Sequence, residues 1–331
     1  MRILVIRFTS LGDVILTTPV VAALRKRYPE ARIDYLVMAG CADAIAGNPH
    51  IDTLIPFDKA RYHSLPELRA YARGLEPYDL IIDLHAKLRS RLITAFLPGR
   101  VLRYRKRAWW KALGVHLGLI RYRADAPIVT TYFNALAPLG IPVGKEELSF
   151  AFGEADRQRV APHAGAVVLA IGAANATKKW PLGHFARLGE LIEDPIVIMG
   201  GRVDATDGEA IRNRMGGRCT NLAGALSLKE SGALLATARY VVCNDSVSFH
   251  MARAVGTPAF VIFGPTDPRM FTYNDRAVLI YAEAPCAPCS LHGDRQCPKT
   301  HFDCMRKLTP ETVLERITTR HPSPSHESVQ P

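Results

Sequence analysis

The sequence predicts an α/β protein made of two doubly wound parallel-sheet halves with a cleft between them. Three observations carry the prediction. Apolar strand-like runs alternate with helix-like stretches along the chain. A polar, Gly/Pro-punctuated region, about residues 142–165, divides that alternation into two cycles, and each cycle opens on a strand that runs into a loop and then a helix. With 331 residues, 48% of them hydrophobic, the chain is long enough for about two domains, each with a core.

In chain order, residues 2–7 read as a strand, 13–28 as a helix interrupted near Pro19, 32–37 and 53–57 as strands, 65–75 as a helix, 79–84 as a strand and 87–96 as a helix. The second cycle has strand 166–171, helix 182–192, strand 195–199 and helices 205–215 and 228–238. It continues into residues 241–268, VVCNDSVSFHMARAVGTPAFVIFGPTDP, where a strand meets Asn244-Asp245-Ser246, then a helix, Gly256-Thr257-Pro258 and a further strand. A last helix follows Thr309, its expected cap, and ends near Arg320. The boundaries expected are residues 1–155 for the first domain, 160–320 for the second, and a Pro-rich polar tail, 321–331, too hydrophilic to fold alone.

Chemistry concentrates where strands give way to helices. Asp245 or Ser246 can cap the helix that follows, and the free amides there, with the positive end of the helix dipole, suit an anion above the strand's carboxyl end. His250, one turn on, belongs to the same mouth. In the first cycle Gly12-Asp13 opens a helix directly after the first strand, where a carboxylate is either a cap or a functional group. A dinucleotide-binding dehydrogenase would place a ribose-binding acid at about Asp34, near the end of the second strand. Thr9-Ser10-Leu11-Gly12 nonetheless has one glycine and not the G-x-G-x-x-G that such a site needs.

Charge is uneven. Residues 1–155 hold 22 Lys and Arg against 14 Asp and Glu, net +8, leaving 20 against 17, net +3, for the remainder. A basic first half calls for an anionic partner: a phosphorylated glycolipid, a membrane surface or a nucleic acid. No apolar run is long enough to span a bilayer and the chain starts without a cleavable signal pattern, so a cytoplasmic location is expected. Of seven cysteines, Cys286, Cys289, Cys297 and Cys304 cluster with His292 and His301. Their spacing suits a structural zinc site, free thiols or a disulfide.

Asp245-Ser246-Val247-Ser248-Phe249-His250 with Gly256-Thr257-Pro258 and Phe263-Gly264-Pro265-Thr266-Asp267-Pro268 resembles the D-[TS]-G-x-x-H, G-T-P and [FY]-G-x-T-D-P motifs of glycosyltransferase family 9, the bacterial lipopolysaccharide heptosyltransferases. Val247 stands where the family has Gly. Residues 1–24 resemble the family's opening R-x-S-x-L-G-D pattern, and Lys178-Lys179-Trp180-Pro181 resembles its K-x-W-P. Asp83, His85, Arg89 and Ser90 match D-x-[QH]-x-x-x-[RK]-S, and the cysteine segment is similar to one found in second-heptose enzymes. The likeness runs over about residues 1–320. It implies a GT-B fold of two Rossmann-like domains, an ADP-heptose donor and a Kdo-lipid A or heptosyl-Kdo-lipid A acceptor, with the enzyme peripheral on the cytoplasmic face of the inner membrane.

By the same resemblance Asp13 is the catalytic base. The donor is met by Lys178, with Lys179 as alternate, and by Asn175, Thr177, Leu226, Asp245, Ser246, Val247 and His250. Ala173 and Ala174 replace the family's hydroxyl residues. The acceptor is met by Ser10, Arg61, His85, Lys87, Arg89 and Arg105, the last in a basic-aromatic run that includes Arg100, Arg103, Trp109 and Trp110. No D-x-D motif for a nucleotide-bound divalent ion occurs, so transfer without a catalytic metal is expected, with zinc at most structural, and one displacement with Asp13 as base would invert the anomeric centre. Nucleic acid is not expected as a partner. The alternatives are a family member that moves another sugar or a later core heptose, or a noncatalytic binder of phosphorylated glycolipid or nucleic acid.

Overall fold

Short apolar segments with no room for a helix pair side by side into two separate sheets. The computed structural model describes residues 1–104, 124–271 and 277–320. The chain divides after Gly153 into two units, the first also taking in residues 269–271. Arg105, the rest of the basic-aromatic run after it and the tail 321–331 lie outside the described residues.

In the first unit, β1 (Arg2–Ile6), β2 (Arg32–Met38), β3 (Thr53–Phe57), β4 (Leu80–Asp83) and β5 (Arg100–Arg103) lie in the order β3-β2-β1-β4-β5. Every pair is parallel, with Val5 opposite Tyr35 on one side and Ile82 on the other. Leu4, Ile6, Phe8, Leu36, Phe57 and Ile81 are buried in one cluster on this sheet. In the second unit, β6 (Val167–Ala170), β7 (Ile196–Met199), β8 (Cys219–Asn221), β9 (Tyr240–Asn244), β10 (Ala259–Phe263) and β11 (Ala277–Tyr281) form the order β11-β10-β9-β6-β7-β8, again all parallel.

Both orders are those of doubly wound sheets. In each, the chain leaves the first strand in one direction and returns to its other side. This creates a switch point at the carboxyl ends of β1 and β4 in one unit and of β6 and β9 in the other, where such sheets leave a crevice for ligand. The candidate residues follow from this geometry. Asp13 is just past β1 and His85 just past β4; Lys178 follows β6, and Asp245 follows β9.

Several details differ from the sequence expectation. The helix expected over 13–28 is two helices, Leu11–Ile15 and Thr18–Arg27, with Pro19 in the first turn of the second. Arg100 and Arg103, the first residues of the basic-aromatic run, belong to edge strand β5, where Val101 and Leu102 pair beside β4, an element the sequence did not suggest. Residues 154–160, expected to be linker, form a helix. Asp34 is the third residue of β2, toward its amino end, and its buried carboxylate is taken by Tyr78 at 3.0 Å, Arg32 at 3.2 Å and Arg2 at 3.7 Å. It is not at the carboxyl end where a ribose would bind. Thr309 caps the last helix as expected, accepting from Thr312 N at 3.3 Å.

Candidate active site

Ser10, in extended conformation, starts the short helix Leu11–Ile15, which places Asp13 at its third position. From there the carboxylate reaches back to accept from Ser10 N at 3.2 Å and Ser10 Oγ at 3.0 Å. Arg7, just past the first strand, adds an ion pair from Nη2 to Asp13 Oδ2 at 2.7 Å. Another Arg7 nitrogen, Nη1, donates to Leu84 O at 2.7 Å. Tyr132, from helix Ile128–Phe133, donates to Asp13 Oδ1 at 3.1 Å, and its ring lies under the Arg7 guanidinium.

Burial would raise the Asp13 carboxyl, but the Arg7 charge and the Ser10 hydrogen bonds outweigh it and bring it down to about 2. Burial meanwhile holds the Tyr132 phenol above its usual range, so it remains a donor. The result is an ionised carboxylate, fixed on both oxygens, whose side chain is still a third exposed. Asp13 thus closes the start of its helix and still presents an ionised, partly exposed carboxylate. Sequence reasoning missed Tyr132, which lies 119 residues away in a stretch with no motif.

On the other side of the same switch point, buried Asp83 organises the turn after β4. Its carboxylate accepts from His85 N, Ala86 N and Ser90 Oγ at 2.8–3.1 Å, holding Ala86 at a φ of 52°. His85 is buried edge-on to Phe8. Burial, with the charges of Arg7 and Lys87, lowers its imidazole to about 3, so it is neutral at neutral pH. Its Nδ1 has no hydrogen-bond partner among the described residues. Lys87 is exposed at the start of helix Leu88–Ala95; Arg89 lies over the ring of Phe57, and exposed Arg61 over that of Tyr62. Arg103 is turned to Thr94 Oγ1 at 2.6 Å and to Asp83 at 3.6 Å.

In the second unit the loop between β6 and helix Leu182–Leu191 carries both lysines, and the structure separates them. Lys178 Nζ pairs with Asp245 Oδ2 at 2.7 Å, at the switch point, while Lys179 Nζ goes to Asp204 Oδ1 at 2.5 Å and Asp207 at 3.7 Å. Asp204 also accepts from Gly201 N at 2.9 Å. A Cβ at Gly172 or Gly200 would come within 2.8 Å of the Asp204 side chain, which ties these glycines to that cluster. Asn244, fully buried at the end of β9, accepts from Trp180 N at 2.9 Å and donates to Ile171 O at 2.8 Å, so it grips both ends of the lysine loop.

The helix Val247–Val255 begins at Ser246, as expected, but neither Ser246 nor Asp245 caps it with its side chain. Asp245 instead takes Lys178 and the Thr266 hydroxyl at 2.8 Å. The Ser246 hydroxyl is buried and without a hydrogen-bond partner among the described residues, so it accepts no hydrogen bond from the amides of the first helical turn. Val247 is half-buried beside it and His250 is buried one turn further on. Asn175 and Thr177 both face the backbone of residues 292–294. Leu226 is half-buried in the loop after β8.

Cys286, Cys289, Cys297 and Cys304 are free thiols, with Cys286 Sγ 3.7 Å from His301 Nε2. Burial, reinforced by the neighbouring cysteines, raises Cys289 to about 11 and Cys304 to about 12. Among the described residues no three His, Cys, Asp or Glu side chains converge as a metal site. A cavity of about 730 Å³ in the first unit, lined by Lys26, Arg27, residues 140–142 and 144–146, includes none of the expected site residues. No helix among the described residues is long and apolar enough to cross a membrane.

Comparison with known proteins agrees with this architecture. The family description "Glycosyltransferase family 9 (heptosyltransferase)" matches residues 69–300, well over half of the chain. Lipopolysaccharide heptosyltransferase 1 of Pseudomonas aeruginosa is 29% identical over 363 residues, covering 96% of this chain and 97% of that protein. Among solved structures, a family 9 glycosyl transferase from Veillonella parvula is similar with a TM-score of 0.80 at 23% identity, covering 96% of each chain. The heptosyltransferase WaaC of E. coli, solved with ADP-2-deoxy-2-fluoro heptose, gives a TM-score of 0.71 at 21% identity, covering 97% of this chain and all of that one. With two Rossmann-like units of the GT-B class, the chain is a glycosyltransferase and belongs to glycosyltransferase family 9.

Proposed function

We propose that this protein transfers L-glycero-D-manno-heptose from ADP-heptose to the Kdo/heptose inner core of lipopolysaccharide, with inversion and without a catalytic metal. The observation that carries the reading is Asp13: an ionised carboxylate at a switch point, held by Arg7, Ser10 and Tyr132 yet still open on one side. Placement matters more here than an elevated pKa, because a base bound next to its hydroxyl works at high effective concentration.

In the proposed step the acceptor hydroxyl oxygen attacks the anomeric carbon and forms the new glycosidic bond. The bond from that carbon to the diphosphate oxygen breaks, its electron pair leaves with ADP, and the hydroxyl proton passes to Asp13. A single displacement of this kind inverts the centre. Charge growing on the diphosphate is met by the Lys178 ammonium and by the amides at the start of helix Val247–Val255, beside the Ser246 hydroxyl. On the acceptor side the reading uses Ser10, Arg61, neutral His85, Lys87, Arg89 and, from sequence alone, Arg105. The cysteine segment supplies thiol and imidazole donors suited to a structural zinc with no part in the transfer. Elemental analysis of the purified protein distinguishes a structural zinc from free thiols or a disulfide in this segment.

Asp13→Asn is expected to cut kcat by several decades, on the order of 10³-fold, with the Kd for ADP nearly unchanged. Lys178→Ala is expected instead to weaken ADP binding. Transfer to Kdo-lipid A and to its heptosylated product, read by mass spectrometry, identifies the acceptor. An Asp13 variant with wild-type turnover sinks the mechanism.

A further inference from the structure

The turn at residues 292–294, next to two of the cysteines in sequence, packs on the lysine loop. Thr177 is buried, and its hydroxyl both accepts from Asp294 N at 2.7 Å and donates to Asp294 O at 3.0 Å. Thr177 N also donates to Asp294 O at 3.1 Å, and Asn175 Nδ2 donates to His292 O at 2.8 Å. Between these bonds sits Gly293, at a φ of 76°, where a Cβ would meet Lys178 Cγ at 2.7 Å and Cδ at 2.9 Å. The aliphatic stem of Lys178 therefore runs against bare backbone, and its ammonium ends on Asp245.

We infer that Thr177 and Gly293 are positioning residues for the donor lysine: the 292–294 turn is a backing plate that fixes the Lys178 stem so that its ammonium stays at the switch point. This rests on the proposed donor role of Lys178. It gives the cysteine-bearing segment a job in the second unit that needs none of its thiols to touch substrate. A free lysine has several rotatable bonds, and a phosphate site made from one gains when those rotations are removed before the ligand arrives. Thr177 contributes by welding the loop to the turn, Gly293 by leaving room for the stem.

The test compares ADP affinity by calorimetry, donor and acceptor KM, kcat and thermal melting in the full chain. Thr177→Val, which removes both hydroxyl bonds, should raise the Kd for ADP and the donor KM by about fivefold or more, with acceptor KM unchanged. Thr177→Ser should restore both to within about twofold. Gly293→Ala, which needs a positive φ and collides with the lysine stem, should weaken ADP binding by about tenfold or more. Hydrogen exchange in the unmodified protein gives a reading that no folding defect can confound: ADP should slow exchange at the Thr177 and Asp294 amides. Unchanged exchange overturns the inference, as does a folded Thr177→Val or Gly293→Ala variant that binds ADP like wild type while Lys178→Ala does not. If Lys178→Ala itself binds ADP normally, the donor assignment fails and the backing role falls with it.

Discussion

Asp13 and His85 face the same switch point with opposite electrostatic histories, and both leave a mark on pH dependence. The Asp13 carboxyl is lowered from 3.8 to about 2, so its stabilising contribution is present above the ordinary carboxylate range and disappears as pH falls through about 2. His85 is lowered from 6.5 to about 3, and unfolding frees it to take up a proton. Its contribution is therefore present above pH 6.5 and is lost progressively as pH falls toward 3. Urea midpoints measured against pH should decline on acidification below about 6.5, and His85→Gln should flatten that part of the curve. An identical slope in the variant would assign the decline to another group. The Tyr132 hydroxyl acts on Asp13, while its ring, which Phe would keep, lies under Arg7. Removing a hydrogen bond to a charged carboxylate costs about 1.5–3 kcal/mol, so Tyr132→Phe should lower kcat by roughly tenfold or more while ADP affinity stays put. A matching loss of ADP affinity would point instead to a general structural defect.

At the scale of elements, Asn244 shows how a strand end builds a site. One side chain ties β9 to the end of β6 through Ile171 O and to the start of the following helix through Trp180 N. Asn244→Ala leaves two buried backbone groups unpaired, a loss of about 2–5 kcal/mol. The denaturant midpoint should fall accordingly, and Asn244→Asp, which keeps the acceptor but loses the donor, should not restore it. Strands such as β1 and β9 were legible in the sequence because their apolar runs stop abruptly at polar loops. β8, three residues long, and β5, flanked by arginines, were not: each is made a strand by its neighbour and not by its own pattern. The same limit applies to the site. Asp13, Lys178 and Asp245 sit in local motifs, but in the sequence resemblance alone favours Lys178 over Lys179, because the aspartates that pair with them lie 67 residues away for one and 25 for the other. Tyr132 and Gly293 acquire meaning only when distant segments meet.

For the molecule as a whole, charge is the property that no single element explains. The chain carries +11, of which +8 falls in residues 1–155, the half assigned to the acceptor. A phosphorylated glycolipid lies in a membrane leaflet, so a protein serving it gains from attraction to anionic headgroups, at about 1 kcal/mol for each basic residue near the surface. Such attraction is screened within about 10 Å at 0.1 M salt, whereas burial of apolar side chains in lipid is not. Sedimentation with vesicles containing anionic lipid should therefore carry the protein down at low ionic strength and release it as salt is raised, while neutral vesicles should leave it in solution. Reversing the charges of Arg105, Lys106 and Arg107 should weaken this binding without altering the Kd for ADP, since the donor residues belong to the other half of the chain. Equal binding to neutral vesicles, or binding indifferent to both salt and charge reversal, would exclude electrostatic docking and leave the basic half to the acceptor's own phosphates and carboxylates.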